Sequence, residues 1–210
     1  SEKKQSVLIS SGMTDIFYKL NIFSSSEFTN LVNNFTEIQI EIQYPSPTFA
    51  LNYQNIINLK KKNSNKIKMK IFYTGMEIAN NYFNKNTEID YLMFSSKIKE
   101  IPNSNGKSDD GPFAKCTSLI EVFIPSSVTK IGDYSFYWCS SLKKITFELP
   151  SSLKQIGYSA FSSCSSLTQI SIPSSVTSIE NCAFQSCSSL AQVSIPSSVT
   201  SIGQSAFYSC

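Results

Sequence analysis

The sequence contains no histidine, no arginine and only seven glycines in 210 residues. Without histidine, the chain cannot build a Ser-His-Asp or Cys-His catalytic group, an HExxH motif or a histidine-assisted zinc site. The glycines never assemble into the GxGxxG or GxxxxGKS loops that hold phosphate groups. We therefore expect a protein that is not an enzyme and that needs no metal ion and no cofactor.

All 18 basic side chains are lysines, and with 15 acidic side chains they give a net charge of +3. Proteins that bind nucleic acids usually use arginine for bidentate contacts to bases and phosphates, so we expect no nucleic-acid partner. Six lysines lie between Lys60 and Lys70. They could bind acidic lipid or polyphosphate, but a lysine-rich helix end is more often a solvated surface.

Long hydrophobic runs are also missing, since no apolar stretch approaches the roughly 18 residues that cross a bilayer. We therefore expect no transmembrane segment. The first ten residues, SEKKQSVLIS, are too polar for a signal peptide, and the cysteines show no CxxC spacing. These features favour a cytoplasmic location over the alternative of cell-surface or membrane association, for which Asn34-Phe-Thr36 is one glycosylation sequence.

The chain does contain an internal repeat. Its clearest unit is LTQISIPSSVTSIENCAFQSCSS, from Leu167 to Ser189. Further copies begin at Leu119, Leu142 and Leu190, and the copy that begins at Leu142 is slightly longer than the others. A period of roughly 20 to 29 residues with regularly placed Leu, Ile and Val is typical of leucine-rich solenoids. The repeat predicts an α/β fold: a curved solenoid with short parallel strands on its concave face.

Each copy has three predicted parts. The segment Leu-x-x-Ile-x-Ile is a strand that ends at a proline, and Ser-Ser-Val-Thr-x-Ile is a second extended piece. A glycine then fits a tight turn with positive φ, whereas Glu180 at the same place predicts mild strain. The prolines are Pro125, Pro150, Pro173 and Pro196, and the glycines are Gly132, Gly157 and Gly203.

The third part, Ala-Phe-x-x-Cys, places Phe and Cys three residues apart, a spacing that favours one side of a helical turn. The phenylalanines should stack in a row, and the cysteines should form a parallel row of small buried side chains rather than a disulfide or metal site. The row members are Phe136, Phe161, Phe184 and Phe207, with Cys116, Cys139, Cys164, Cys187 and Cys210. Cys182 lies outside the row, as either a reactive thiol or a partly exposed inert one.

Degenerate copies extend the repeats towards the N-terminus. We predict degenerate repeats over residues 66–118, regular repeats over 119–210 and an N-terminal α/β cap over 1–65. The loop Pro102–Pro112 holds Asp109 and Asp110, which alone do not indicate a metal site. Predicted elements of the cap are a capping box at Ser24–Glu27, a strand at Thr36–Gln43 and an amphipathic helix at Thr48–Lys62 through Phe49, Tyr53, Ile56 and Leu59.

The pattern LxxIxIPSSVTxIGxxAFxxCSS resembles the repeat of the BspA-like leucine-rich repeat family. The resemblance is close over Leu119–Cys210 and loose over Lys66–Ser118. It implies a curved solenoid whose concave sheet binds other proteins. Bacterial members of this family are surface adhesins for host matrix proteins.

The leading functional hypothesis is a protein-interaction module that binds a protein partner on the concave face. Outward-facing aromatic and Met side chains on a rigid sheet are typical of protein interfaces, which directs attention to the outward strand positions. An alternative is that some of these side chains pack on the Pro102–Pro112 loop or on the cap. The predicted partner-binding residues are Lys68, Lys70, Tyr91, Met93, Glu121, Phe123 and Lys144.

The second hypothesis is a self-associating structural protein, or a surface repeat of the adhesin type. The sequence stops at Cys210 without a closing cap, which predicts an uncovered apolar edge and a homo-oligomer. The residues of this predicted edge are Leu190, Val193, Ile195, Ile202 and Phe207.

Overall fold

The structure is a computed structural model of the chain. It forms two compact units, Ser1–Tyr73 and Thr74–Cys210. The predicted capping box at Ser24–Glu27 and the Asn34 sequence lie outside the described residues. The structure describes residues 6–9, 37–44, 54, 57–58, 60–61, 67–76, 78, 83–107 and 110–210.

In its described part, the first unit contains three parallel strands, β1 (Ser6–Ile9), β2 (Glu37–Tyr44) and β3 (Ile67–Tyr73). Strand β2 pairs with both of the others and matches the strand predicted from residue 36 to 43. Residues 54, 57, 58, 60 and 61 are helical, as predicted for residues 48–62. The apolar positions predicted for that helix, Phe49, Tyr53, Ile56 and Leu59, lie outside the described residues.

Strand β3 shows the alternation expected for a strand with one buried face. Ile67, Met69, Ile71 and Tyr73 are buried, and the residues between them are partly exposed. The unit boundary follows Tyr73. It therefore lies C-terminal to residue 66, where the sequence predicts the repeats to begin.

The second unit is a β-solenoid in which each turn of about 23 residues contributes two short strands. This confirms the predicted leucine-rich repeat solenoid. The first strands are β4 (Tyr91–Phe94), β6 (Glu121–Ile124), β8 (Lys144–Phe147), β10 (Gln169–Ser171) and β12 (Gln192–Ser194). The second strands are β5 (Glu100–Ile101), β7 (Lys130–Ile131), β9 (Gln155–Ile156), β11 (Ser178–Ile179) and β13 (Ser201–Ile202).

Paired strands are parallel throughout, because each residue aligns with its equivalent in the next turn. The predicted inward side chains form the core, and in the degenerate turn Leu92, Phe94, Ile98 and Ile101 are all buried. The predicted 102–112 loop is exposed at Asn103 and from residue 105 to 107, but its end at Gly111 is buried. Asp109 lies outside the described residues.

The predicted phenylalanine row is confirmed, and it begins earlier than the regular repeats do. Successive rings are nearly parallel, with centroids 5.2 Å apart for Phe136 and Phe161 and 5.4 Å for Phe161 and Phe184. Phe83 and Phe113 extend the row at 5.9 Å, and Phe207 continues it at 5.3 Å from Phe184. The row therefore supplies apolar contact along the second unit.

The predicted helical turn between Phe and Cys is wrong. Among the residues that the structure describes, ten non-glycine residues have φ between 49° and 63°, and each lies two residues before or after a phenylalanine of the row. This left-handed conformation costs an L-residue about 1–2 kcal/mol and interrupts any α-helix. Backbone bonds between turns offset it, such as Phe136 N–H to Ala160 O at 2.8 Å and Trp138 N–H to Ser162 O at 2.8 Å.

The predicted role of the repeat glycines also needs correction. Gly132, Gly157 and Gly203 do not have positive φ. A Cβ atom on Gly157 would lie 2.7 Å from the carbonyl carbon of Gly132, so close approach of the neighbouring turn requires glycine there. Glu180 also avoids positive φ, so the predicted strain is absent. Its carboxylate accepts hydrogen bonds from Gln155 Nε2 at 3.0 Å and from Ser178 Oγ.

The cysteine row has a second structural role besides filling space. Each thiol donates to the carbonyl oxygen of a phenylalanine in the preceding turn, as in Cys139 to Phe113 at 3.2 Å and Cys187 to Phe161 at 3.2 Å. The thiols are free, and four of the five are buried. Burial raises the pKa of Cys164 well above its ordinary value and raises that of Cys187 to about 12.

Replacing Phe161 by Ala should lower the free energy of unfolding by about 3–5 kcal/mol, because a fully buried ring between two stacked rings is lost. The matched control is Phe207→Ala, since Phe207 is partly exposed and stacks on one described neighbour. Its cost should be roughly half as large. Urea unfolding measures both values, and equal losses would show that ring stacking does not determine the cost.

The buried thiols should make the protein less stable at alkaline pH. An unfolded thiol ionises near pH 9, whereas Cys187 in the folded protein has a pKa of about 12. Its stabilising contribution is therefore complete below pH 9 and is lost as pH rises from 9 towards 12. At about pH 10.5 the loss should be about 2 kcal/mol for each buried thiol.

Urea unfolding of the wild type and of Cys164→Ala/Cys187→Ala in reducing buffer measures this effect. Tyr and Lys side chains ionise in both proteins, so the difference in pH dependence isolates the two thiols. The variant should be less stable near neutral pH, where it lacks two donors, but should lose less stability between pH 9 and 10.5 (about 4 kcal/mol less). Identical pH profiles would contradict the prediction.

Candidate functional site

The predicted outward residues of three neighbouring first strands lie together, and we call this surface the strand face. It consists of residues from β4, β6 and β8 in two rows that follow the strand register. The first row is Tyr91, Glu121 and Lys144, and the second is Met93, Phe123 and Thr146. All six side chains are partly or fully exposed.

The charged residues of the strand face are bonded to one another. Glu121 Oε1 accepts from Lys144 Nζ at 2.8 Å and from Thr146 Oγ1 at 3.0 Å. The ion pair contributes less than about 1 kcal/mol, because the Lys144 side chain is 65% exposed. Its effect is to fix the Glu121 carboxylate beside the apolar row.

Met93 and Phe123 stand directly opposite each other on adjacent strands. Both are only partly covered, although each strand buries the residues on either side of them in sequence. An apolar pair on a sheet next to a charged row can bind an apolar side chain that has a polar group nearby. The geometry of the strand face contains no arrangement that would activate a nucleophile.

Lys68 and Lys70 belong to the first unit. Lys70 Nζ lies 3.0 Å from Glu41 Oε2, and both side chains are about 15% exposed. Lys68 is partly exposed. The structure thus brings five of the seven predicted binding residues together in the second unit and uses Lys70 in an ion pair within the first.

Sequence reasoning missed an aromatic cluster on the Phe-Cys turns, which we call the aromatic turn cluster. It consists of Tyr134, Tyr137, Trp138 and Tyr158, with ring centroids 5.2 to 6.0 Å apart. Trp138 is 49% exposed. Desolvation and a hydrogen bond with Tyr158 raise the pKa of Tyr134 to about 12. The sequence does distinguish these four aromatic residues, because the other regular turns have mostly Ser, Asn or Gln at the equivalent positions.

The predicted self-association edge is partly uncovered. Ile195 and Ile202 are 43% and 50% exposed, whereas the equivalent Ile172 and Ile179 of the preceding turn are buried. Val193 and Phe207 are partly exposed. Leu190 is buried and is therefore not part of the exposed edge. It directly follows the turn at Cys187 and is held there, since its N–H donates to the Cys187 carbonyl oxygen at 2.8 Å. Self-association stays a prediction.

Within the described residues, no group of acidic or cysteine side chains is arranged to hold a metal ion. Cys182 is partly exposed, and its Sγ is 4.0 Å from the carbonyl oxygen of Gln204. That contact is too long to fix the thiol firmly. Within the same described part of the chain, no helix has the length and apolar character that crossing a membrane requires.

Comparison with solved structures identifies other leucine-rich repeat proteins. A leucine-rich repeat protein from Bacteroides ovatus shares the fold, with 23% identity and a TM-score of 0.55, over 82% of this chain and 38% of that one. The leucine-rich repeat protein of T. pallidum is 33% identical, with a TM-score of 0.51, over 67% of this chain and 60% of that one. The chain therefore spans less than two thirds of the length of either protein.

Among proteins of curated function, none is significantly similar to this chain. The family model of the BspA type leucine rich repeat region matches residues 106–210 with six copies. That range contains most of the stacked turns, the phenylalanine row from Phe113 onwards and the cysteine row of the second unit. The chain therefore belongs to the BspA-type leucine-rich repeat family.

Proposed function

We propose that the protein is a non-enzymatic interaction module that binds a protein partner through the strand face. The observation that carries this proposal is the pair Met93 and Phe123, which stand side by side and partly exposed on a rigid parallel sheet. Side chains held by a sheet lose little conformational freedom on binding, so contacts to them are efficient. The family supports a role in protein interaction or as a surface repeat.

The chemistry of the strand face limits what the partner presents. Glu121 is fixed by Lys144 and Thr146, while the exposed ammonium of Lys144 remains available to an acceptor. A suitable partner would place an apolar or aromatic side chain on Met93 and Phe123 and a carboxylate or carbonyl near Lys144. This arrangement favours a protein surface over an anionic polymer, because two of the three residues in the second row are apolar.

The aromatic turn cluster is a second candidate binding surface. Exposed Trp and Tyr side chains are enriched among the residues that dominate binding energy, and Trp138 is half exposed. The two surfaces lie on different parts of each turn, since one uses the first strands and the other the Phe-Cys turns. Separate substitutions can therefore distinguish them.

Replacing both Tyr91 and Phe123 by Ala should lower recovery of the partner at least roughly tenfold, because two central contact residues are removed. The measurement is quantitative capture from extracts and culture medium of the source organism, with purified wild-type and variant protein as baits. The matched control is Tyr137→Ala/Trp138→Ala, which removes the same number of aromatic side chains from the other surface. Circular dichroism checks that each variant is folded.

Unchanged recovery by the Tyr91→Ala/Phe123→Ala variant would refute binding through the strand face. Loss of the partner in the Tyr137→Ala/Trp138→Ala variant alone would assign binding to the aromatic turn cluster instead. Light scattering of the purified chain tests the self-association hypothesis, since exposed Ile195 and Ile202 should then give a concentration-dependent mass. A strict monomer at high concentration would remove that hypothesis.

A further inference from the structure

One Phe-Cys turn differs from the others in the residues at its left-handed positions. The turn from Gly132 to Cys139 has Tyr134 and Trp138 at these two positions, with φ of 56° and 60°. In the next three turns, Ser or Cys occupies both positions. Positive φ is uncommon for bulky side chains, and such backbone outliers cluster at functional sites. The aromatic turn cluster is therefore the part of these turns that most needs a functional explanation.

The rings of the aromatic turn cluster meet edge to face. The interplanar angles are 83° between Tyr134 and Tyr137, 70° between Tyr134 and Tyr158, and 68° between Tyr137 and Trp138. Among the described residues, Trp138 makes only this one ring contact, and its side chain is half exposed. Much of the indole surface is therefore open to solvent.

Polar groups lie beside the exposed rings. Among the described residues, the Tyr137 hydroxyl and the Trp138 indole N–H have no hydrogen-bond partner. Asp133 Oδ1 accepts from the Tyr158 N–H at 2.9 Å, and the second carboxylate oxygen has no partner in the described part of the chain. The cluster thus combines flat apolar surface with hydrogen-bond donors and acceptors.

The charge and composition around the cluster narrow the class of ligand. In the turn segments 111–116, 132–139 and 157–164, the charged side chains are Lys115 and Asp133. Nucleic acids and other polyanions need several cations along their path, and these segments supply one. The aliphatic side chains of the same segments are two alanines, and both are buried. A matching ligand is therefore uncharged, carries hydroxyl groups and has a flat apolar face.

We propose that the aromatic turn cluster binds a neutral oligosaccharide, with one pyranose ring stacked on Trp138. The C–H bonds on one face of a pyranose form an apolar patch that matches an aromatic ring, while its equatorial hydroxyls require donors and acceptors at the rim. The Tyr137 hydroxyl and the Asp133 carboxylate supply these groups. This activity goes beyond the proposed function, because the strand face lies on the first strands and the cluster on the Phe-Cys turns.

The test begins with a printed array of neutral oligosaccharides of glucose, galactose, mannose, xylose and N-acetylhexosamines. The chain contains one tryptophan, so its fluorescence reports on this site alone. A glycan that the array identifies should change the emission of Trp138 in a saturable way, and calorimetry then measures the dissociation constant. Binding of the wild type to none of these glycans would overturn the inference.

Two substitutions of Trp138 separate ring stacking from a general loss of structure. Trp138→Ser introduces the residue that the next three turns have at this position, so the fold should be retained. It should lower glycan affinity at least roughly tenfold, whereas Trp138→Phe keeps an aromatic ring and should lose clearly less.

The matched control is Tyr208→Ser, which should leave glycan affinity unchanged. Tyr208 is 63% exposed and occupies the position equivalent to Tyr137 three turns later. Circular dichroism checks that each variant is folded. Unchanged glycan binding by Trp138→Ser, or an equal loss in Tyr208→Ser, would contradict the inference.

Asp133→Asn tests the polar rim of the site. Asn103 and Asn181 occupy equivalent positions, and each Oδ1 accepts the corresponding backbone bond, at 3.0 Å and 2.8 Å. The variant should therefore keep the urea midpoint of the wild type, while glycan affinity falls about threefold to tenfold because a neutral acceptor replaces a charged one. Unchanged affinity would contradict the contact assigned to Asp133.

Competition distinguishes the other ligand classes. Single-stranded DNA or a sulfated polysaccharide that competes as well as the neutral glycan would overturn the inference. In partner capture, a partner that Tyr137→Ala/Trp138→Ala loses, but that the wild type still binds after enzymatic removal of the partner's glycans, would assign the cluster to protein recognition and also overturn it. Tyr91→Ala/Phe123→Ala should bind glycans as the wild type does, so the proposed function and this inference can fail separately.

Discussion

Hydrogen bonds between the backbones of successive Phe-Cys turns are the interaction on which the second unit depends. Phe136, Phe161 and Phe184 each donate an N–H to the alanine carbonyl of the following turn at 2.8 Å. The flanking residues adopt left-handed backbone conformations that only such bonds make tolerable. The rings of these phenylalanines also stack on one another, and their carbonyl oxygens accept hydrogen bonds from cysteine thiols of the next turn. Each turn is therefore stabilised chiefly by its neighbours, as expected for a solenoid.

Because the Phe-Cys turns fix the distance between successive repeats, the outward-facing residues of the first strands can vary in sequence. Polar or aromatic side chains replace one another on the strand face without a change in the core. The ladder of first strands is interrupted at β8 and β10 while the second strands remain paired. The residues proposed to bind a partner, Met93 and Phe123, are therefore departures from the repeat.

The regular period of the repeat was enough to predict the solenoid, its parallel strands, the phenylalanine row and the buried cysteines. It could not predict the left-handed turns, because Lys, Ser, Tyr and Trp occupy them in place of glycine. The role of the glycines was predicted wrongly, because glycine is required there by the close approach of another turn. The sequence around each glycine does not show that contact. The sequence shows that the copy beginning at Leu142 is two residues longer than the other regular copies. The effect of this insertion on strand pairing depends on contacts with the next turn, which the sequence does not show.

The most direct test of this account is hydrogen exchange of individual backbone amides, measured by NMR. The account predicts that the amides of Phe136 and Phe161 exchange only through global unfolding, because they bond to the next turn. Amides of Gln169–Ser171 should exchange faster than those of Glu121–Ile124, which lie between two paired strands. Equal protection of these two strands, or early exchange in the Phe-Cys turns, would contradict it.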